Sequence, residues 1–486
     1  MTRRFAVSGL VALAVCASAF VAAAAGPAGA KGLPLVPANV GTWSSAVVPP
    51  GADPLAIGVH SVVLHTGKVL VFGQNISTST GSARAYVYDP ASGTATEVNP
   101  PAGANIECAG AAPLADGRVL VVGGHGPKET GVPYIYLFDP VLLTWTRQPD
   151  SPLGRYYPSV VRLPDGNVLI LGGKAKNGTY NQTVEVYVPP VAPANVGTLS
   201  VVGTLRDTQM YSRPWVMPDG TVLDALPNKL QTVAPSTWTW SNLTNPQAGA
   251  NGMTGALLPG SPAGSTKILL GGGGKTTVRV FDYATPLAGW TSVAPLPGVR
   301  GHMSPVLLPN GSLLGIGGNT TGLFGGPQLS ALDYNPTANT WTVWASQQKR
   351  RGYHSTAVLL PDGRVLSAGD TGSGGGGATV EVFSPPYLSA GPRPVIGAAP
   401  TEITHGGTFS ITTTSTSATA VLMSPGAATH TVDMNGRYVA LAVTPTTGGL
   451  SVTAPSGTVA VSGWYMLFVV DPSGVPSVAT WVHISG

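Results

Sequence analysis

A phenol, an imidazole and a thiol recur in this chain at one fixed distance from a turn. In RGYHSTAVLLPDGRVL (351–366), Tyr353 and His354 precede an apolar strand, an Asp-Gly turn and a second strand. Stepping back nine positions from turn glycines Gly117, Gly166, Gly220, Gly311 and Gly363 reaches Cys108, Tyr157, Tyr211, His302 and His354. If the repeats stand round a common axis, residues equally far from the turn share one height, and these side chains meet at one mouth. Taken singly, each reads as a polar cap that hydrogen-bonds a loop. Taken together, imidazoles, phenols and a thiol have the profile of a metal or redox site. Imidazole nitrogen with phenolate oxygen suits Cu(II), which heads the divalent affinity series. Zinc fits less well, because there is one cysteine and no carboxylate among these positions; iron with phenolate ligands stays open.

The elements that must position these groups form a repeat. An apolar strand, a tight turn, a second apolar strand often ending in Gly-Gly, and an aromatic-rich third strand recur, as in LADGRVLVVGG, LPDGNVLILGG, LPNGSLLGIGG and LPDGRVLSAGD. With the weaker copies there are seven units spaced by roughly 50 residues, the range of four-stranded propeller blades. GTWSSAVV (41–48) precedes the first unit and reads as the strand that closes the ring against the last. The repeat stops after SPPYLSAGPRPVIG, and Thr/Ser/Val-rich alternating strands then predict an antiparallel β-sandwich. The expected organisation is all-β: a propeller over 31–388 and a sandwich over 389–486.

Composition narrows the partners. Of 486 residues only 9% are charged, while 65 are glycine and 45 proline, which fits short strands and tight turns rather than disorder. Net charge is +4, and no Lys/Arg-rich run follows the first residues, so nucleic acid is not an expected partner. Residues 1–30 read as an export signal: MTRR, the apolar FAVSGLVALAVCASAFVAAAA, and a small-residue end at Ala30. The rival reading is a retained anchor, which would be the chain's one membrane contact. Cys16 falls in this leader, so Cys108 is the sole cysteine of the exported chain and no internal disulfide can form.

Several longer segments match one family. GYHSTAVLLPDGRV, GRYYPSVVRLPDG, ECAGAAPLADG, AATHTVDMNGRYVAL and GWYMLFVVDPSGVPSVATWVHI together resemble the copper-radical oxidases, the galactose oxidase and glyoxal oxidase family. The Tyr-Pro form of the second segment is nearer the glyoxal oxidases. The resemblance implies a seven-bladed Kelch-type propeller followed by an immunoglobulin-like domain. It implies Cu(2+) held by Tyr157, Tyr353, His354 and His430, with Tyr353 axial and His354 equatorial. It also implies a Cys108–Tyr157 thioether that carries a tyrosyl radical. Spacing alone does not reach His430. Tyr211 and His302 match no ligand position and read as neighbours of the metal or lining of the substrate pocket. Where galactose oxidase stacks a tryptophan on its cross-link, this chain has Ala175; either an aromatic from a neighbouring repeat, with Trp215 the candidate, covers the cross-link, or the radical is more exposed and less persistent.

The implied reaction is oxidation of a small aldehyde or primary alcohol, with O2 reduced to H2O2, by a secreted monomer. In it Tyr353 takes the substrate proton and Tyr157 the carbon-bound hydrogen. The alternative, from a different class, is a secreted propeller that binds glycan or cell-wall polymer without catalysis.

Overall fold

The computed structural model describes residues 39–486 apart from 75–80, 193, 206, 227–228, 244–251, 373–375 and 416. The expected leader over 1–30 lies outside the described residues. Seven successive antiparallel four-stranded sheets follow, and in each the Gly or Asn-Gly turn joins the first two strands. Their first strands are His60–Val63, Gly110–Pro113, Ser159–Arg162, Arg213–Val216, Met253–Leu257, Ser304–Leu307 and Ser355–Leu359. Every residue of these strands is buried, and neighbouring first strands lie against one another except between the fourth and fifth sheets, where the Arg213 side chain donates to the Met253 carbonyl. The order returns to its start, because His60–Val63 lies against Ser355–Leu359. Buried hydroxyls stitch these neighbours: Ser61 bonds Thr356, Ser159 donates to the Ser212 carbonyl and Thr254 to that of Met303.

Two other devices repeat. On the outer strands, the Trp145 indole donates to the Val98 carbonyl and that of Trp341 to the Ala294 carbonyl, each tying one sheet to the one before. Trp43 makes the same bond to Ala345. It belongs to the short strand Thr42–Trp43, which pairs with the third strand of the last sheet (Trp43↔Phe383) and completes it from the other end of the chain. The expectation for 41–48 therefore matches the pairing observed.

The second device is a buried arginine two or three residues before a mouth residue. Arg155 donates to the Gly172 and Thr183 carbonyls and pairs with Glu185 at 3.0 Å; Arg351 donates to the Gly369 carbonyl and pairs with Glu381 at 3.2 Å. Both pairs are fully buried. They fix the loops that carry Tyr157 and His354 to their own second and third strands. Arg300 occupies the same place in the sixth sheet and binds the Gly317 and Ser330 carbonyls instead.

The C-terminal part forms two facing sheets, one ordered around Thr408–Thr413 and Gly449–Thr453, the other around Thr419–Met423 and Gly463–Val470. The run GWYMLFVV is buried on both faces, which is why it lacks the usual polar alternation. Tyr465, Leu467 and Val469 point into the sandwich core. Met466, Phe468 and Val470 join the core of the adjoining sheets with Leu308, Leu313 and Leu359. Period-two geometry thus lets one strand serve two cores, and residues 39–486 make one compact unit.

Removing one partner of a buried ion pair leaves the other charge stranded. Glu185→Ala is expected to cost about 3–5 kcal/mol of unfolding free energy, whereas Asp150→Ala, at the exposed pair with Arg147, should cost under about 1 kcal/mol. Equal losses on denaturant titration would refute the structural weight given to the buried pair.

Candidate metal centre

The nine-residue spacing marks an unusual backbone. Cys108, Tyr157, Tyr211, His302 and His354 all have left-handed φ, at 58°, 61°, 44°, 57° and 66°. None is a residue that adopts this region freely, and each such residue costs about 1–2 kcal/mol. The reversal sits one or two residues before the first strand of each sheet, where the mouth loop becomes strand. Loop-to-loop hydrogen bonds hold it: Tyr157 N–H donates to the Cys108 carbonyl (3.0 Å) and Tyr211 N–H to the Tyr157 carbonyl (2.9 Å). In the fifth sheet the equivalent residue is Gly252, with φ 72°, whose carbonyl accepts from His302 N–H at 2.8 Å. A Cβ there would lie 2.7 Å from His302 Nε2, so any larger residue would displace the His302 ring. The longer turn of that sheet hid Gly252 from the spacing count.

His430 arrives by a separate route. The hairpin Ala427–Thr429/Val432–Asp433 leaves the sandwich and adds itself to the first sheet, with His60↔Thr429, Ser61↔Ala428 and Val62↔Ala427 in register. Its two-residue turn is His430-Thr431, with φ of 44° and 70°. Positive φ at both positions is the type I′ geometry usually given to Asn-Gly. A β-branched threonine there is strained. Its hydroxyl compensates by donating to the Met253 carbonyl at 2.9 Å.

These elements bring Cys108, Tyr157, Tyr353, His354 and His430 to one point. Cys108 Sγ lies 3.7 Å from His354 Nε2 and 3.8 Å from His430 Nε2. Tyr157 Oη is 3.3 Å from His354 Nε2 and hydrogen-bonded to Tyr353 Oη. Among the described residues, the sulfur and two imidazole nitrogens form the one cluster of this kind, within 4.8 Å of one another. Tyr211 packs against the rings of Tyr157 and His430, at 4.6 and 4.8 Å, and its hydroxyl donates to the Ala109 carbonyl. His302 meets the Tyr353 ring edge-on at 5.3 Å.

Hydrogen bonding fixes the tautomer of His430. Thr429 Oγ1 donates to the Val59 carbonyl at 2.9 Å, so it accepts from His430 Nδ1 at 2.6 Å, leaving the Nε2 lone pair facing the cluster. Thr371 Oγ1 stands 3.1 Å from His354 Nδ1 in a like arrangement. Burial, then neighbouring imidazoles, pushes His354 down to about 3 and His430 well below the usual range, so both rings are neutral. Burial likewise raises the Cys108 thiol and the Tyr157 and Tyr353 phenols. The site is therefore a largely buried cluster of uncharged Lewis bases. Two neutral imidazole nitrogens with two ionisable oxygens make a donor set suited to Cu(II).

The expected shield is corrected. Trp215, on the first strand of the fourth sheet, packs with Met217, Leu223 and Phe281 rather than beside Cys108. It lies four residues past Tyr211, which carries it down the strand away from the mouth. The Tyr157 ring meets Tyr156 edge-on at 4.2 Å instead. Behind Tyr156 stands His125, at 4.9 Å between rings, whose Nδ1 contacts Glu107 at 3.3 Å. Tyr156 was visible in sequence as the other half of Tyr-Tyr, but its role depends on which way the loop turns.

Comparison with known proteins agrees with this arrangement. Residues 393–484 match the family model described as galactose oxidase-like, Early set domain. Aldehyde oxidase GLOX of Vitis pseudoreticulata is 30% identical over 387 residues, covering 68% of this chain and 72% of that protein. The chain belongs to the copper-radical oxidase family. Galactose oxidase of Gibberella zeae is another relative, 28% identical over 70% of this chain, although the match spans little more than half (56%) of that enzyme's length. The fold is shared with a fungal alcohol oxidase of the AA5 family solved in complex with copper, with TM-score 0.78 at 23% identity, covering 92% of this chain and 100% of that one.

In a copper-radical oxidase the hydroxyl behind a histidine should matter as much as the ring it orients. Thr429→Val is expected to weaken Cu(II) binding about 10–100-fold, read by competition with a chelator, without loss of the cooperative unfolding transition. Unchanged affinity would overturn the role given to the Nδ1 contact.

Proposed function

We propose that this protein is a copper-dependent oxidase that converts a small aldehyde or primary alcohol to the acid or aldehyde while reducing O2 to H2O2. In this reading the seven sheets are the blades of a Kelch-type propeller over 31–388, residues 389–486 form the immunoglobulin-like domain, and the 1–30 leader directs export. The carrying observation is the convergence of two neutral Nε2 atoms, two phenol oxygens and one thiol, with Cys108, Tyr157, His354 and His430 all on left-handed backbone. Such strain clusters where function over-determines structure.

His354 and His430 through Nε2, and Tyr157 and Tyr353 through Oη, would hold the copper. Bound copper would supply a Lewis acid and one of the two one-electron acceptors the oxidation needs. Tyr353 Oη, on the partly exposed side of the cluster, is placed to receive the proton of the substrate hydroxyl as general base. Tyr157, buried among Cys108, Tyr156 and Tyr211, is the group proposed to accept the carbon-bound hydrogen. A thioether from Cys108 Sγ to its ring would lower the cost of oxidising it. Tyr156, Tyr211 and His430 crowd the same ring and keep water from it. Over the cycle the substrate gives up two electrons and two protons, and O2 receives both pairs.

Two measurements test this reading. Copper-loaded protein should release peroxide with glyoxal-type aldehydes or small alcohols, and Tyr157→Phe should lose turnover while still binding Cu(II). After aerobic copper loading, intact mass should fall by two hydrogens and Cys108 should resist alkylation. Full turnover by Tyr157→Phe, or a freely alkylated Cys108 after loading, would overturn it.

A further inference from the structure

Far below the mouth, where the sandwich meets the third and fourth sheets, a small cavity is lined by Arg162, Trp215, Asp433, Arg437 and Tyr465 among others. Arg162 ends the strand Ser159–Arg162 and is 4% exposed. Its guanidinium packs against Gly463, where a Cβ would lie 2.3 Å from Nη1. Among the described residues Arg162 Nε has no hydrogen-bond partner, and no carboxylate lies within ion-pair distance of the group. The Tyr465 hydroxyl, which donates to the Val461 carbonyl, can accept from the guanidinium, but a neutral phenol satisfies a donor without cancelling the charge. Compare Arg155 and Arg351, equally buried, each with its own glutamate.

The other charges on the cavity do not balance this one. Arg437 donates to three carbonyls, of Val216, Thr458 and Val459, and has no acid partner. It also stands near enough to Arg162 for the two to repel. Asp433 Oδ1 accepts the Ala427 and Asn435 N–H groups and forms no ion pair with either arginine. Two guanidiniums and one carboxylate leave one positive charge in excess. Arginine does not escape by losing its proton, and an uncompensated buried charge costs several kcal/mol. A water would satisfy donors without cancelling the charge.

We propose that this cavity binds one monovalent, halide-sized anion between Arg162 and Arg437. Its size selects the ligand class: about 20 Å³ of room admits one water-sized particle, which excludes sulfate, phosphate and carboxylates. The ion sits between two elements that deliver the mouth residues. Arg162 is five residues down the strand that follows Tyr157, roughly 15 Å along it. Asp433 and Arg437 flank the base of the hairpin whose tip is His430. Occupancy therefore braces the seam on which the alignment of Tyr157 with His430 depends.

The test compares chloride with gluconate at constant ionic strength. Wild-type protein should show a saturable rise in Tm of about 2 °C or more in chloride. Arg162→Met, which removes the excess charge at similar volume, should lose that rise and melt in gluconate no lower than wild type. Crystals of wild-type protein grown in bromide should give an anomalous peak between Arg162 and Arg437. This second measurement decides the matter even if the variant does not fold. A water in place of the peak, or an equal chloride response in Arg162→Met, overturns the proposal.

Discussion

The pairing of residues 427–429 with 60–62 governs the rest of the architecture. Three residues of a sandwich hairpin become an extra strand on the first sheet, far from either in sequence. Backbone hydrogen bonds define register without ambiguity, and a slip of one residue would turn every side chain to the opposite face. His430 can therefore approach Cys108, Tyr157 and His354 in only one way. The second core shared by Met466 and Phe468 with the adjoining sheets packs the hairpin's parent domain against them. A site assembled from chain segments over three hundred residues apart in sequence is thus tied together by strand pairing and a shared core.

Strain is concentrated at the same place. Six non-glycine residues that converge near the mouth, Cys108, Tyr157, Tyr211, His302, His354 and His430, hold positive φ, and Thr431 adds a seventh. Elsewhere most such positions are glycine, as at the turns Gly117, Gly166 and Gly363, and the other described exceptions, Lys128, Glu129, Leu143, Trp238, Asn339 and Asp370, are scattered over several sheets. Keeping Cys, Tyr and His where glycine would be easier costs stability at each residue. Buried pairs such as Arg155–Glu185, and the loop-to-loop bonds from Tyr157 and Tyr211, offset that cost locally. Burial then keeps the gathered groups neutral, so a cation entering the site meets donors held close together with no resident charge to displace.

The repeat was legible because its signals are local. A turn glycine, an apolar pair of strands and an aromatic third strand each follow from period-two burial and φ > 0 chemistry, so seven sheets and the completing strand at Trp43 could be read in one pass. The mouth residues were legible for the same reason, since equal distance from a turn means equal height. Gly252 was not, because the fifth sheet lengthens its turn and breaks the count. Trp215 misled, because chemical suitability as a shield says nothing about which way a strand residue faces. Tyr156 is the ring that meets Tyr157 edge-on, through a loop reversal no pattern announces.

The sequence by itself determined the all-β character, the number of repeats and the height shared by Cys108, Tyr157 and His354, since these depend on neighbours within a hairpin. His430 was reachable only through likeness to a family, and its partners Thr429 and Val59 not at all. Tertiary structure alone decided that a hairpin from the last hundred residues would join the first sheet, which tautomer His430 takes, and that Arg162 would be buried without an acid. Those outcomes depend on contacts between segments hundreds of residues apart. In such contacts geometry, and not composition, selects which polar groups meet.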